Sequence, residues 1–249
     1  MFEKPFSLES KSILVTGATS GIGRNMALYF AQCGAKIIAT GRNAQELENL
    51  KNEITGLGHT FIVADMLEND GIVKISKSVD SVDGFVNCAG IDDRCLFKFS
   101  EQESFDKVID TNFTSAVNLT RNLVKSKKIN KGGSVLFIAS ISAQLTTAGL
   151  SAYSASKAAI ISFAKALAIE LAARKIRVNT ISPGVVSTRL TEKLFNQNPE
   201  LRIKDQEKYL LGHGNVDDIA YLAQYFMADA SKWVTGSNFV IDGGYSCQK

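Results

Sequence analysis

Seven short runs of β-branched and apolar residues recur along this chain, at Ser12 (SILVTG), Lys36 (KIIATG), Thr60 (TFIVAD), Gly84 (GFVNCAG), Ser134 (SVLFIAS), Ile176 (IRVNTIS) and Asn238 (NFVIDGG). They are too uniformly apolar to alternate, as expected of strands covered on both faces. Between them lie stretches with helical composition, among them NMALYFAQCG from Asn25, AQELENLKNEITGLG from Ala44, SFDKVIDTNFTSAVNLTRNLVKSKK from Ser104, AYSASKAAIISFAKALAIELAARK from Ala152 and VDDIAYLAQYFMA from Val216. Strand and helix in alternation predict an α/β fold: a parallel sheet of about seven strands, with right-handed crossovers and helices on both faces. Only three prolines occur, and no repeat or low-complexity linker divides the 249 residues. Residues 1–249 therefore read as one domain.

The first strand runs into TGATSGIGR, and a helix follows at once. Gly17, Gly21 and Gly23 permit a tight turn there and a close backbone approach to a pyrophosphate, while the first helical residues from Ser20 through Ile22 leave backbone N–H groups free for an anion. The sheet is thus expected to be doubly wound and Rossmann-type, although glycines after a strand can also serve only a tight crossover. Near the end of the second strand an acidic residue would take the adenosine ribose of NAD. This chain has Gly41, Arg42 and Asn43 instead. Arg42 can pair bidentately with a 2′-phosphate and Ser20 can add a hydroxyl, so NADP(H) is the expected cofactor. A solvated arginine at a strand end is the plainer alternative.

Other classes are disfavoured. Basic and acidic residues number 28 and 25, for a net charge of +3, and are interspersed, so neither a nucleic-acid nor a membrane surface is expected. The start of the chain lacks a signal-peptide core and no apolar run reaches the ~20 residues of a membrane span, which points to the cytoplasm. Cys33, Cys88, Cys95 and Cys247 have no CxxC spacing and only His59 and His213 accompany them. No metal site is expected, and the cysteines read as reduced structural thiols.

Two segments place a tyrosine four residues before a lysine: YSASK at Tyr153 and YSCQK at Tyr245. Tyr153 and Lys157 fall in a long helix, one turn apart on one face, where an ammonium lowers the pKa of a phenol. Ser140 ends the strand SVLFIAS at the carboxyl edge, 13 residues before Tyr153, whereas Lys232 stands 13 before Tyr245. YSCQK also occupies the last five residues, where chain ends usually fray. YSASK is therefore the reactive pair on this reading, and Ser140 its companion.

Taken together, TGATSGIG at Thr16 to Gly23, NCAG at Asn87 to Gly90, Asn112 within TNF, Ser140, YSASK, PGVVST at Pro183 to Thr188 and IDGG near the end resemble the short-chain dehydrogenase/reductase family over essentially the whole chain. Within it, the sequence is similar to 3-oxoacyl-acyl-carrier-protein reductases. The resemblance implies Tyr153 as general acid/base, Ser140 bonded to the reacting oxygen, Lys157 on the nicotinamide ribose, and Asn112 holding a water that links Lys157 to solvent. It implies Asp65 and Met66 along the adenine, Asn87, Ala89 and Gly90 lining the cofactor cleft, and the turn Pro183, Gly184, Val186, Thr188 holding the carboxamide. Cys88 replaces an asparagine more usual in the family, and is expected to be tolerated. The implied activity is reduction of a ketone or aldehyde by hydride transfer.

The helix from Ala158 to Ala172 carries only Lys165 and Glu170 as charges. Burial against another subunit would explain this, as would burial against the chain's own sheet; the resemblance implies a homotetramer. Residues 189–211 are charged and irregular, which suits a substrate lid with Leu190, Leu194 and Phe195 beneath it, or a simple surface excursion. Lys131 and Arg174 keep basic charge where the carrier-protein reductases would meet an acidic partner, but IDDRCLFKF departs from their pattern. Sugar, steroid and small-ketone substrates stay open, as does a nucleotide-binding regulator without turnover.

Overall fold

A computed structural model describes residues 4–188, 191–192, 195 and 199–248. Seven strands, β1 (Ser12–Thr16), β2 (Lys36–Gly41), β3 (Thr60–Val63), β4 (Val82–Asn87), β5 (Ile129–Ile138), β6 (Arg177–Pro183) and β7 (Asn238–Ile241), form one sheet in the order β3-β2-β1-β4-β5-β6-β7. Every pairing is parallel. The order reverses between β1 and β4, which makes their carboxyl ends the natural place for a ligand crevice.

Successive strand residues point to opposite faces, so each face has its own core. Ile13, Val15, Leu136 and Ile138 pack toward α1 (Gly21–Gln32), α2 (Ala44–Glu53) and the helix Val216–Met227. Leu14, Phe85, Val135 and Phe137 pack toward α3 (Asn69–Ser78), α5 (Ser115–Lys125) and α6 (Ser151–Leu171), and α4 (Gln102–Ile109) lies against α6. Large side chains on both faces, Phe30 and Phe137 among them, are fully buried, each contributing about 1.5–3 kcal/mol. That two-sided burial is why the strand runs do not alternate.

Three sequence expectations are revised. The stretch from Ser104 to Lys128 is not one regular helix: α4 and α5 are joined through a wider turn at Asp110–Thr114, which carries Asn112. Such π-type turns shift the side-chain register locally. The segment 189–211, read as irregular, contains the helix α7 (Pro199–Gln206), while Leu190 and Leu194 lie outside the described residues. Of the last five residues, expected to fray, Tyr245–Gln248 form a 3-10 turn, with the Gly244 and Ser246 amides donating to Asp242, and Lys249 lies outside the described residues. α8 (Val216–Met227) begins with a capping box between Asn215 and Asp218.

Candidate active site

A cleft of about 680 Å³ runs along the carboxyl ends of the strands. Its floor at one end is the glycine turn. Gly17 and Gly21 have φ of +67° and +51°, and a Cβ at Gly17 would lie 2.8 Å from the Ala89 nitrogen. A Cβ at Gly23 would lie 2.4 Å from the Gly17 carbonyl oxygen, so only glycine lets α1 seat this close to the turn. Ser20 caps α1 without a side-chain bond and no acidic residue follows in its first turn. The amides of that turn therefore remain available to an anion. A backbone cradle that side chains cannot fill, opening on a helix start, fits a dinucleotide pyrophosphate.

Most of the expected residues line this cleft: Gly17, Ser20, Gly21, Ile22, Gly23, Arg42, Asp65, Met66, Ala89, Gly90, Ser140, Tyr153, Lys157, Pro183, Gly184, Val186 and Thr188. Arg42 is exposed beside it and makes no ion pair among the described residues. Thr188 approaches the start of α1, 3.4 Å from where a Gly21 Cβ would stand. Three expected residues do not reach the lining. Asn43 is the cap of α2, its Oδ1 accepting from the Glu46 amide at 3.1 Å. Asn87 is buried and its Oδ1 accepts from the Thr16 hydroxyl at 3.1 Å, which in turn accepts from the Cys88 and Ala89 amides. This network fixes the NCAG turn, and burial pushes the Cys88 thiol up to about 12, leaving it a neutral packing group.

Asn112 is the third. Its amide is taken by protein: the Ile91 N–H donates to Oδ1 at 2.7 Å, and Nδ2 donates to the Ile91 carbonyl and to Ser156 Oγ. Gly90 lies between Asn112 and Lys157, since a Cβ there would meet Asn112 Oδ1 at 3.1 Å and Lys157 Nζ at 3.3 Å. Asn112 thus pins the loop after β4 beside Lys157.

Tyr153 and Lys157 meet as their spacing predicts, with Lys157 Nζ 5.6 Å from the centre of the Tyr153 ring. Lys157 also donates to the Ile138 carbonyl at 2.9 Å, tying α6 to the end of β5, where Ser140 sits. The acid–base balance differs from the sequence expectation. Burial pushes the Tyr153 phenol up to about 12, opposed by its hydrogen bond with Ser140, with Asp92 raising and Arg94 lowering it further. Burial brings Lys157 down to about 8. The lysine alone does not bring the phenol toward neutrality in the open cleft, because desolvation penalises both charged forms.

Sequence reasoning missed several residues of the lining. Tyr245 of the discounted YSCQK is buried, its ring 4.8 Å from that of Tyr209, and both face the cleft. Asp92, Arg94 and Thr111 also line it; Arg94 was legible only as an oddity of IDDRCLFKF, and Thr111 as the neighbour of Asn112. From the 189–211 segment Phe195, expected there, lines the cleft, and Leu201, Asp205 and Lys208 join it without having been anticipated. Lys131 and Arg174, by contrast, sit at the opposite edge: the Arg174 guanidinium donates to the carbonyl of Ile129, the first residue of β5.

The family profile described as Enoyl-(Acyl carrier protein) reductase matches residues 17–246. The chain is 34% identical over 244 residues to a 3-oxoacyl-[acyl-carrier-protein] reductase of Thermotoga maritima, covering 95% of this chain and 98% of that protein. It is 32% identical over 250 residues to the NADP-dependent (R)-specific alcohol dehydrogenase of Lentilactobacillus kefiri, covering 97% and 98%. Among solved structures, a putative 2-deoxy-D-gluconate 3-dehydrogenase of Agrobacterium tumefaciens with bound NADP matches with a TM-score of 0.87 and 28% identity, covering 98% of this chain and 100% of that one. This chain belongs to the short-chain dehydrogenase/reductase family and is an oxidoreductase of that type. Among the described residues no helix is long and apolar enough to cross a membrane.

Proposed function

We propose that the protein is an NADP(H)-dependent carbonyl reductase in which Tyr153 is the general acid. The observation that carries this reading is the convergence of Ser140, Tyr153 and Lys157 on the cleft that also contains the glycine turn and Arg42. The glycine cradle and the amides opening α1 suit a pyrophosphate, and the exposed Arg42, without an ion pair among the described residues, suits a 2′-phosphate; the NADP named in two similar proteins supports the same choice. A nicotinamide dinucleotide held there would supply hydride to a carbonyl carbon.

The chain's own groups do the rest. With its pKa near 12, Tyr153 stays protonated at neutral pH and hands its proton to the carbonyl oxygen as charge develops there. The Ser140 hydroxyl donates to the same oxygen. The tyrosinate left behind is stabilised by the Lys157 ammonium, which at about 8 is mostly protonated at pH 7. Asn112 acts by holding the Ile91 loop against Lys157. Leu145, Leu150, Phe195 and Leu201 give the substrate end an apolar wall, which admits a 3-oxoacyl thioester, as the names of the relatives suggest, or a sugar, steroid or small ketone.

The same reading has one catalytic domain over residues 1–249, works in the cytoplasm, and uses the 189–211 segment as a lid. It also assembles as a homotetramer. α6 buries Ile160, Ala164 and Leu167 in its own core and leaves Ala155, Ala158, Ser162, Ala166 and Ile169 exposed together with Lys165 and Glu170, an outer face of mainly small and apolar residues that suits a subunit contact.

The test is NADPH oxidation against acetoacetyl thioesters, diketones, keto-sugars and steroids, with Tyr153→Phe as the control. On the best substrate the Phe variant should fall at least about 100-fold. Equal activity would dismiss the mechanism, and no turnover of any carbonyl compound would favour a nucleotide-binding regulator.

A further inference from the structure

Arg94 follows β4 on the substrate side of the cleft, and its loop is fastened at both ends. Ile91 is held by the Asn112 amide, and the Cys95 N–H donates to the Gly149 carbonyl at 3.1 Å, beside the start of the helix that carries Tyr153. Within the loop, Arg94 Nε donates to Asp92 Oδ2 at 3.1 Å. That contact aligns the guanidinium through its Nε edge and leaves both Nη groups without a partner among the described residues. Asp92 Oδ1 is buried and likewise has no partner. Among the described residues of the lining, the other cations on this side are committed, Lys157 to the Ile138 carbonyl and Lys208 to Asp205 at 3.1 Å. Arg42, the other guanidinium of the lining, belongs to the far end, after β2.

An aligned guanidinium with two free, parallel donors matches the two oxygens of a carboxylate. A thioester or neutral ketone would leave those donors to water. Resting on the carbonyl-reductase reading above, we propose that Arg94, oriented by Asp92, selects substrates that carry a carboxylate as well as the reacting carbonyl, making oxo acids and the corresponding hydroxy acids the preferred class. The apolar wall of Leu145, Leu150 and Phe195 then meets the hydrocarbon part, and Asp92 Oδ1 can accept from a hydroxyl near the carboxylate. The charges of Asp92 and Arg94 are both felt at the Tyr153 phenol, after burial and Ser140, in keeping with a binding group close to the reacting centre. The pair is net neutral, so selectivity comes from directed donors and not from a general attraction of anions.

The test measures kcat/KM with NADPH for 2-, 3-, 4- and 5-oxohexanoate and for their methyl esters. The parent should prefer the acid for at least one carbonyl position, and Arg94→Ala should reduce that acid-to-ester ratio by about 10- to 100-fold. Arg94→Lys, which keeps the charge but not the fork, should retain only part of the ratio. Equal use of acid and ester by the parent, or a ratio unchanged in Arg94→Ala while esters are turned over, overturns the proposal and leaves the reductase reading standing. If neither acids nor esters are reduced, the reductase reading fails first. Calorimetric titration with 3-hydroxyhexanoate then decides the anion site by itself: about 10-fold weaker binding by Arg94→Ala supports it, and equal binding overturns it.

Discussion

Lys157 Nζ stands 5.6 Å from the centre of the Tyr153 ring while donating to the Ile138 carbonyl at 2.9 Å, so one ammonium is shared between the sheet edge and the phenol. It is buried, and burial lowers it from 10.5 to about 8. Between those two pH values the unfolded chain binds a proton that the folded chain does not, so this group makes the protein more stable as pH rises through the window. At one pKa unit per 1.36 kcal/mol the effect is on the order of 3 kcal/mol. Lys157→Met removes it. Urea unfolding at intervals from pH 7 to 10.5 should show the stability of the variant relative to the parent declining by about that amount, and parallel curves would contradict the pKa assignment.

Arg42 has no carboxylate partner among the described residues, so its guanidinium is available for a phosphate. Arg42→Ala should lower the NADPH-to-NADH affinity ratio about 10- to 100-fold in equilibrium titrations. The ratio of the parent should also fall with added salt, because the extra phosphate contact lies at an exposed edge.

Gly23 allows no side chain. A Cβ would sit 2.4 Å from the Gly17 carbonyl oxygen and 3.2 Å from that of Thr16, and both obstacles are backbone that cannot rotate away. Gly23→Ala should cost about 1–3 kcal/mol in urea denaturation and weaken dinucleotide binding, because relief requires α1 to move off the turn. An unaltered unfolding midpoint would show that the turn yields.

Arg177 is buried at the start of β6, donating to the Phe226 and Ala228 carbonyls and to Ser231 Oγ. It ties the end of α8 to the sheet, and burial lowers its pKa. Arg177→Met should destabilise the fold by about 2–3 kcal/mol through donors lost from a dry helix end. Thermal melts check this, and the loss should exceed that of Lys11→Ala, whose partner Asp229 is exposed.

The strands were legible because a sheet covered on both faces needs apolar residues at every position, and that demand is local. Five of the seven runs begin at the first residue of the strand they predict or within one residue of it; β4 begins at Val82, two residues ahead of its run, and the strand beginning at Ile129 starts earlier than its run because Lys131 and Gly132 interrupt the apolar pattern. The glycine turn and the Tyr153–Lys157 pair were legible for the same reason, being set by spacing within one turn or one helix. Tyr245 was misjudged because termini fray unless packed, and Tyr209, 36 positions earlier, supplies the packing. Asn43 was assigned to the cleft from its place at the end of the second strand and Asn87 from the family resemblance, but the direction of a short amide is set by whichever donor or acceptor lies closest. Lys131 and Arg174 lie at the end of the sheet away from the cleft, a placement not legible in the sequence because charge along the chain carries no information about which end of the sheet it reaches.

What the sequence by itself determined is the order of elements, the parallel sheet they build and the identity of the groups at the strand ends, since periodicity, glycine geometry and helical spacing act over a few residues. Only the tertiary structure decided which of those groups face the cleft and in what protonation state. Orientation depends on contacts such as Asn112 with Ile91, and acidity depends on burial, which pushes Tyr153 to about 12 and Lys157 to about 8. Both are properties of the water that folding excludes, and the chain does not define that volume until its distant segments have closed around it.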